Sequence, residues 1–69
     1  MDDNWKIVFT ASKMYEIQII KGLLTENDIE SVEISKKDSS FLFGRIELYV
    51  NADDVLRAKQ LISKSNLNE

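Results

Sequence analysis

The residues that most often carry out chemistry in proteins are scarce in this chain. Its 69 residues include no cysteine and no histidine, which excludes thiol nucleophiles, disulfides, thiolate metal sites and imidazole acid–base catalysis. Two glycines cannot build a glycine-rich phosphate loop. Ser39 and Ser40 have no histidine that could activate them as nucleophiles. We therefore expect a protein that is not an enzyme and that uses no cofactor.

Two pairs of adjacent aspartates are the remaining candidates for a metal site. They are Asp2 with Asp3, and Asp53 with Asp54. Adjacent side chains point apart on a strand or helix, so neither pair converges by itself. Asp53 and Asp54 are also explained as first-turn residues of a helix, where negative charge is favourable. No metal site is predicted.

The turn before the first predicted helix could bind a small anion. Free N–H groups at a helix start attract anions, and Lys13 stands where an acidic residue is usual. Ser12 and Lys13 are therefore candidate ligand-binding residues. The alternative is that Ser12 is an ordinary helix cap beside an exposed lysine.

Hydrophobic periodicity predicts a single domain over residues 1–69 with five elements and frayed ends at 1–3 and 65–69. The predicted elements are β1 at about 5–10, α1 at 13–26, β2 at 31–36, β3 at 43–50 and α2 at 52–64. A right-handed β1-α1-β2 crossover followed by a hairpin places β3 between β1 and β2. The predicted fold class is α+β: a ferredoxin-like β-α-β-β-α chain, with a three-stranded antiparallel sheet (order 1-3-2) and both helices on one face.

The same periodicity assigns side chains to faces. The inward residues of the sheet are predicted as Trp5, Ile7 and Phe9 in β1, Val32 and Ile34 in β2, and Ile46, Leu48 and Val50 in β3. The apolar stripe of α1 is predicted as Met14, Ile17, Ile20 and Leu24, widened by Tyr15, Ile19 and Leu23. That of α2 is predicted as Val55, Ala58, Leu61 and Ile62.

Four residues are predicted to shape the helices and their ends. Ser12 and Asn51 are the expected N-caps of α1 and α2. Gly22 is expected to let α1 approach the sheet closely, and Asn27 to end α1 in the left-handed conformation.

The predicted face of the sheet opposite the helices has no element to cover it. If β3 keeps its pleat, Phe41, Phe43, Arg45, Glu47 and Tyr49 all point to that face. Monomers seldom expose such an aromatic patch without a use, so Phe41, Phe43, Arg45 and Tyr49 are a candidate interface with a protein partner or a second copy. The alternative is a bulge at Gly44, which would bury Phe41 and Phe43.

Charge and hydropathy limit the partners. The net charge of −3 and the pI of about 4.8 argue against nucleic acid, whose binders present a basic face. No apolar run approaches the length of a membrane span. The start, Met1 to Asn4, lacks the basic and apolar segments of a signal peptide, so a cytoplasmic protein is expected.

Two segments resemble a known family. They are VFTASKMYEIQIIKGLLTENDIESVEI (Val8 to Ile34) and ELYVNADDVLRAKQLI (Glu47 to Ile62). Together they are similar to the small putative prokaryotic signal-transducing proteins, whose fold is described as PII-like. The resemblance implies that fold and a signalling role, and it supplies no catalytic residues. In PII-like relatives the segment between β2 and β3 contacts partners, and here that segment is short.

Together these observations predict a non-enzymatic regulatory or protein-interaction module that self-associates or binds a partner through the open sheet face, the exposed β2 edge or the β2-β3 hairpin. The alternative is a PII-type sensor that binds a small anionic ligand near the β1-α1 turn.

Overall fold

A computed structural model describes residues 4–36 and 44–65 of the chain. Phe41, Phe43 and the hairpin tip lie outside these ranges, so the predictions made for them concern residues that are not described. The elements are β1 (Trp5–Ala11), α1 (Met14–Glu26), β2 (Ser31–Lys36), β3 (Arg45–Asn51), a short 3-10 turn (Ala52–Asp54) and α2 (Val55–Lys64).

The three strands form one antiparallel sheet in the order β1-β3-β2. The predicted α+β, ferredoxin-like β-α-β-β-α fold is confirmed. The core lies between the sheet and the two helices. Its buried residues are Ile17, Ile20, Leu24, Ile29, Ile46, Leu48, Val50, Ala58 and Ile62.

Strand β3 supplies the centre of this core because it has a neighbour on both sides. Ile46, Leu48 and Val50 are buried, as the alternation predicts. From α2, Ala58 and Ile62 are buried, and Val55 and Leu61 pack against them, so the predicted stripe of α2 is also confirmed.

Strand β1 contains a bulge that the sequence prediction missed. Ile7 pairs with Tyr49 and Phe9 pairs with Leu48, so Val8 is an extra residue on β1. Such a residue shifts the alternation of the side chains that follow it. The prediction that Trp5, Ile7 and Phe9 share the inward face is therefore wrong: Phe9 packs against the core together with Val8, whereas Ile7 pairs on the opposite face.

The side chains of β2 point to the opposite faces of the sheet from those predicted. Val32 pairs with Tyr49, and Ile34 pairs with Glu47, and directly paired residues lie on the same face of a sheet. Val32 and Ile34 therefore lie on the side away from the helices, and the prediction that they point inward is wrong. The helix side of β2 carries Glu33, which forms an ion pair with Lys21 of α1 at 3.2 Å.

Helix α1 begins and ends differently from the prediction. It starts at Met14 after Lys13, an extended residue (φ −122°, ψ 131°), and no side chain caps it; Ser12 is therefore not the N-cap. The left-handed residue at its end is Asp28 (φ 62°) and not Asn27. Asn27 donates its side-chain amide to the carbonyl oxygen of Leu23 instead, at 2.9 Å.

The end of α1 is a Schellman motif that the left-handed Asp28 makes possible. The N–H of Asp28 donates to the carbonyl oxygen of Thr25 at 3.1 Å, and the N–H of Ile29 donates to that of Leu24 at 2.9 Å. Both bonds satisfy carbonyls that a helix end otherwise leaves unpaired. Ile29, 1% exposed, then folds back into the core.

The apolar stripe of α1 is narrower than predicted. Ile17, Ile20 and Leu24 are buried, but Tyr15 and Ile19 are 59% and 50% exposed. Tyr15 and Ile19 each lie two residues from Ile17, and a helix turns by about 100° per residue. They therefore lie on the opposite side of α1 and do not widen the stripe.

Gly22 does not bring α1 close to the sheet, contrary to the prediction. A Cβ atom at this position would meet nothing within 4 Å. We therefore expect Gly22→Ala to raise the free energy of unfolding by about 0.5–1 kcal/mol, since alanine loses less backbone entropy in a helix. Urea unfolding followed by circular dichroism measures this change, and a variant less stable than the parent would contradict it.

The sequence predicts Asn51 as the N-cap of α2, but Asn51 caps the 3-10 turn that precedes α2. The side-chain oxygen of Asn51 accepts the N–H of Asp53 at 3.0 Å, whereas the N-cap of α2 is Asp54, which makes no side-chain capping hydrogen bond. The chain therefore leaves the central strand and enters a helix within a few residues, which fixes α2 against the core face of the sheet.

Candidate interaction surface

The sheet face that the helices leave uncovered, here called the open face, is the candidate functional site. Its members follow from the register, since directly paired residues share a face. They are Trp5, Ile7 and Thr10 from β1, Val32 and Ile34 from β2, and Arg45, Glu47 and Tyr49 from β3. None of these eight residues belongs to the core cluster.

Tyr49 lies in the middle of an apolar row across the open face. Its neighbour on β1 is Ile7 and its neighbour on β2 is Val32. Ile7 is 43% exposed, while Tyr49 and Val32 are half-buried. Ile34 and Trp5 extend the row toward two corners of the sheet. An apolar patch of this kind on a small protein marks a contact surface.

Glu47 is the charged group at the centre of this patch. It is 7% exposed, and its carboxylate accepts a hydrogen bond from the Tyr49 hydroxyl at 2.8 Å. That hydrogen bond, followed by burial and the nearby negative charge, raises the pKa of Tyr49 above its ordinary value. Tyr49 therefore remains a hydrogen-bond donor to the Glu47 carboxylate at neutral pH, and Glu47 lies between Thr10 of β1 and Ile34 of β2.

The predicted interface residues that are described lie on this face. Arg45 is exposed, and it shares the face with Tyr49 because both lie an even number of residues from Glu47 on β3. Trp5, Ile7, Val32 and Ile34 were missed as open-face residues. The alternation in β2 signalled two distinct faces, but only the pairing with β3 shows which of them meets the helices.

The β1-α1 turn, predicted as an anion site, is less open than expected. Ser12 and Lys13 are exposed, and the Lys13 ammonium lies 5.9 Å from the centre of the Tyr15 ring, a cation–π distance. Glu16 lies in the first turn of α1. A carboxylate in this turn opposes anion binding.

The described residues were also compared with the requirements of a metal site and of a membrane-spanning helix, and they meet neither. Among residues 4–36 and 44–65, no three acidic side chains come together as ligands for a metal ion. Neither helix in these ranges is long and apolar enough to cross a membrane. Among the described residues, the open face is therefore the better candidate for a contact surface.

Comparison with known proteins places the chain in a family. No curated protein and no solved structure matches it. The model of a family described as "putative prokaryotic signal transducing protein" matches residues 5–66, a range that includes every described helix and strand. The chain belongs to this family of prokaryotic proteins, to which a role in signal transduction is ascribed.

Proposed function

We propose that the chain is a non-enzymatic signalling module that self-associates, with a second copy covering its open face. The observation that carries this proposal is the apolar row through Tyr49, which neither helix covers. Burying such a row removes apolar surface from water, at about 25 cal/mol for each Å². A chain of 69 residues without cysteine has a small core and no disulfide, so a second subunit is an effective stabiliser.

The apolar row also supports a second copy as the occupant. Under two-fold symmetry, a surface must be complementary to itself. The row through Tyr49 meets this condition, because its apolar side chains on one copy can pack against the same side chains on the other.

The alternative of an anionic-ligand sensor stays a prediction for the β1-α1 turn. Its residues, Ser12 and Lys13, are exposed and therefore accessible to a ligand. Glu16 in the same turn weakens the attraction for an anion, so the geometry favours the open face over this turn.

Sedimentation equilibrium tests the self-association directly. We expect the full chain to have an average mass above that of one copy at micromolar concentrations. Tyr49→Asp should lower that mass, because it places a second negative charge beside Glu47 in the middle of the contact. A tenfold or larger loss of association is expected for a charge buried at an interface without a partner.

Tyr15→Asp is the matched control, since Tyr15 is 59% exposed on the helix side. This variant should keep the parent mass. Circular dichroism establishes that both variants are folded. A parent chain that stays a monomer at millimolar concentration, or two variants that change the mass equally, would overturn the proposal.

A further inference from the structure

We infer that β2 forms a second and separate contact, in which the edge that pairs with no other described strand pairs antiparallel with β2 of another copy to make a six-stranded sheet. This inference goes beyond the open-face contact, because it uses backbone groups at the edge of the sheet. It does not require the open face to be covered.

The two edges of the sheet differ in how well they could accept another strand. Edge strands carry unpaired N–H and C=O groups, and a bulge is one device that prevents further pairing. Strand β1 has such a bulge at Val8. Strand β2 pairs with β3 without any register shift from Ser31 to Lys36, and the chain has no proline. Among the described strands, the regular and unprotected edge is that of β2.

The sequence of β2 is complementary to itself in one antiparallel register. When Glu33 lies on the two-fold axis, Val32 comes opposite the partner's Ile34, so two apolar pairs form on the open face. Ser31 then comes opposite the partner's Ser35. Apolar pairs and pairs of hydroxyl residues are cross-strand combinations that stabilise a sheet.

Glu33 is the residue that could oppose this pairing, since two carboxylates meet at the axis. Its carboxylate already accepts the Lys21 ammonium at 3.2 Å and the Gln18 amide at 3.3 Å. Each negative charge therefore arrives with its own positive charge from α1. An inward-pointing charge on an edge strand opposes further pairing, but the Lys21 and Gln18 contacts reduce the repulsion between the two Glu33 carboxylates.

The resulting dimer keeps all four helices on one side of the extended sheet. It also joins the two open faces into one, with Val32 and Ile34 of both copies along the seam. A dimer of this form would carry two open faces side by side. The edge contact and the open-face contact could therefore form in the same assembly.

A single cysteine at the axis tests the register, because the native chain contains no thiol. Directly opposed residues in antiparallel strands have Cα atoms about 4.5–5.5 Å apart, within the range of about 4.4–6.8 Å that a disulfide spans. Under mild oxidation we expect Glu33→Cys to give a disulfide-linked dimer as the main product. The cross-link should form equally well when Tyr49→Asp is also present, which separates it from the open-face contact.

Leu56→Cys is the control, since Leu56 is 76% exposed on α2 and far from the β2 edge. It should link at least tenfold more slowly than Glu33→Cys. Equal linking of the two variants, or no linked dimer from Glu33→Cys, would overturn the edge contact. A Tyr49→Asp effect without a cross-link would leave the open-face proposal standing alone.

Discussion

Leu48→Ala is expected to lower the free energy of unfolding by about 2–5 kcal/mol and to leave most of the chain unfolded at room temperature. Leu48 is 0% exposed and lies on the central strand, with Phe9 opposite on β1 and Glu33 opposite on β2. Truncation removes apolar contacts and leaves a cavity that two flanking strands prevent from closing. A core of this size supplies only about 3–5 kcal/mol in total, so the loss is comparable with the whole stability.

Leu56→Ala is the matched control for Leu48→Ala. Leu56 is 76% exposed, and surface substitutions of this kind usually change stability by less than about 0.5 kcal/mol. Thermal unfolding followed by circular dichroism should show a folded Leu56→Ala variant beside a largely unfolded Leu48→Ala variant. Similar unfolding curves for the two variants would show that the core does not lie where the sheet and helices enclose Leu48.

The buried faces of the central strand and of α2 could be predicted from sequence because each element has a single face against the core. Strand β3 has a neighbour on each side and one face against the helices, so strict alternation of Ile46, Leu48 and Val50 identifies the buried face. In α2, the spacing of Ala58 and Ile62 fits the helical period. In both elements one periodic pattern corresponds to one buried face.

The edge strands could not be predicted in the same way. In β1, every residue from Trp5 to Thr10 fits an unbroken strand, and nothing in the local sequence marks Val8 as the extra residue. The bulge depends on where Ile7 and Phe9 meet β3, which is a non-local property. It turns Trp5 and Ile7 to the open face while Phe9 joins the core.

In β2, the alternation of Val32 and Ile34 with polar residues predicted two faces but could not say which one meets the helices. The structure places the polar side under α1, where Lys21 and Gln18 bind Glu33. Two helices cover the middle of the sheet more fully than its β2 edge, so a polar contact suffices there. Three of the eight open-face residues were therefore predictable, namely Arg45, Glu47 and Tyr49 from β3, but not the apolar neighbours on the edge strands.

The small side chain of Ala58 sets how closely α2 packs on the rest of the domain. Ala58 is 0% exposed, and α2 contacts β1, β3 and α1. No larger residue fits there unless the helix moves outward, because protein interiors are close-packed. The same position therefore limits both the volume of the core and the distance between the helix layer and the sheet.

Ala58→Leu is accordingly expected to lower the free energy of unfolding by about 1–3 kcal/mol, although it adds apolar surface to the chain. The added carbons force α2 away from Leu48 and Val50 and weaken contacts that the rest of the core depends on. Ala52→Leu is the control, since Ala52 is exposed in the 3-10 turn. Urea unfolding should show a lower midpoint for Ala58→Leu and little change for Ala52→Leu. An Ala58→Leu variant at least as stable as the parent would show unfilled space beneath α2 and would contradict the close packing described for it.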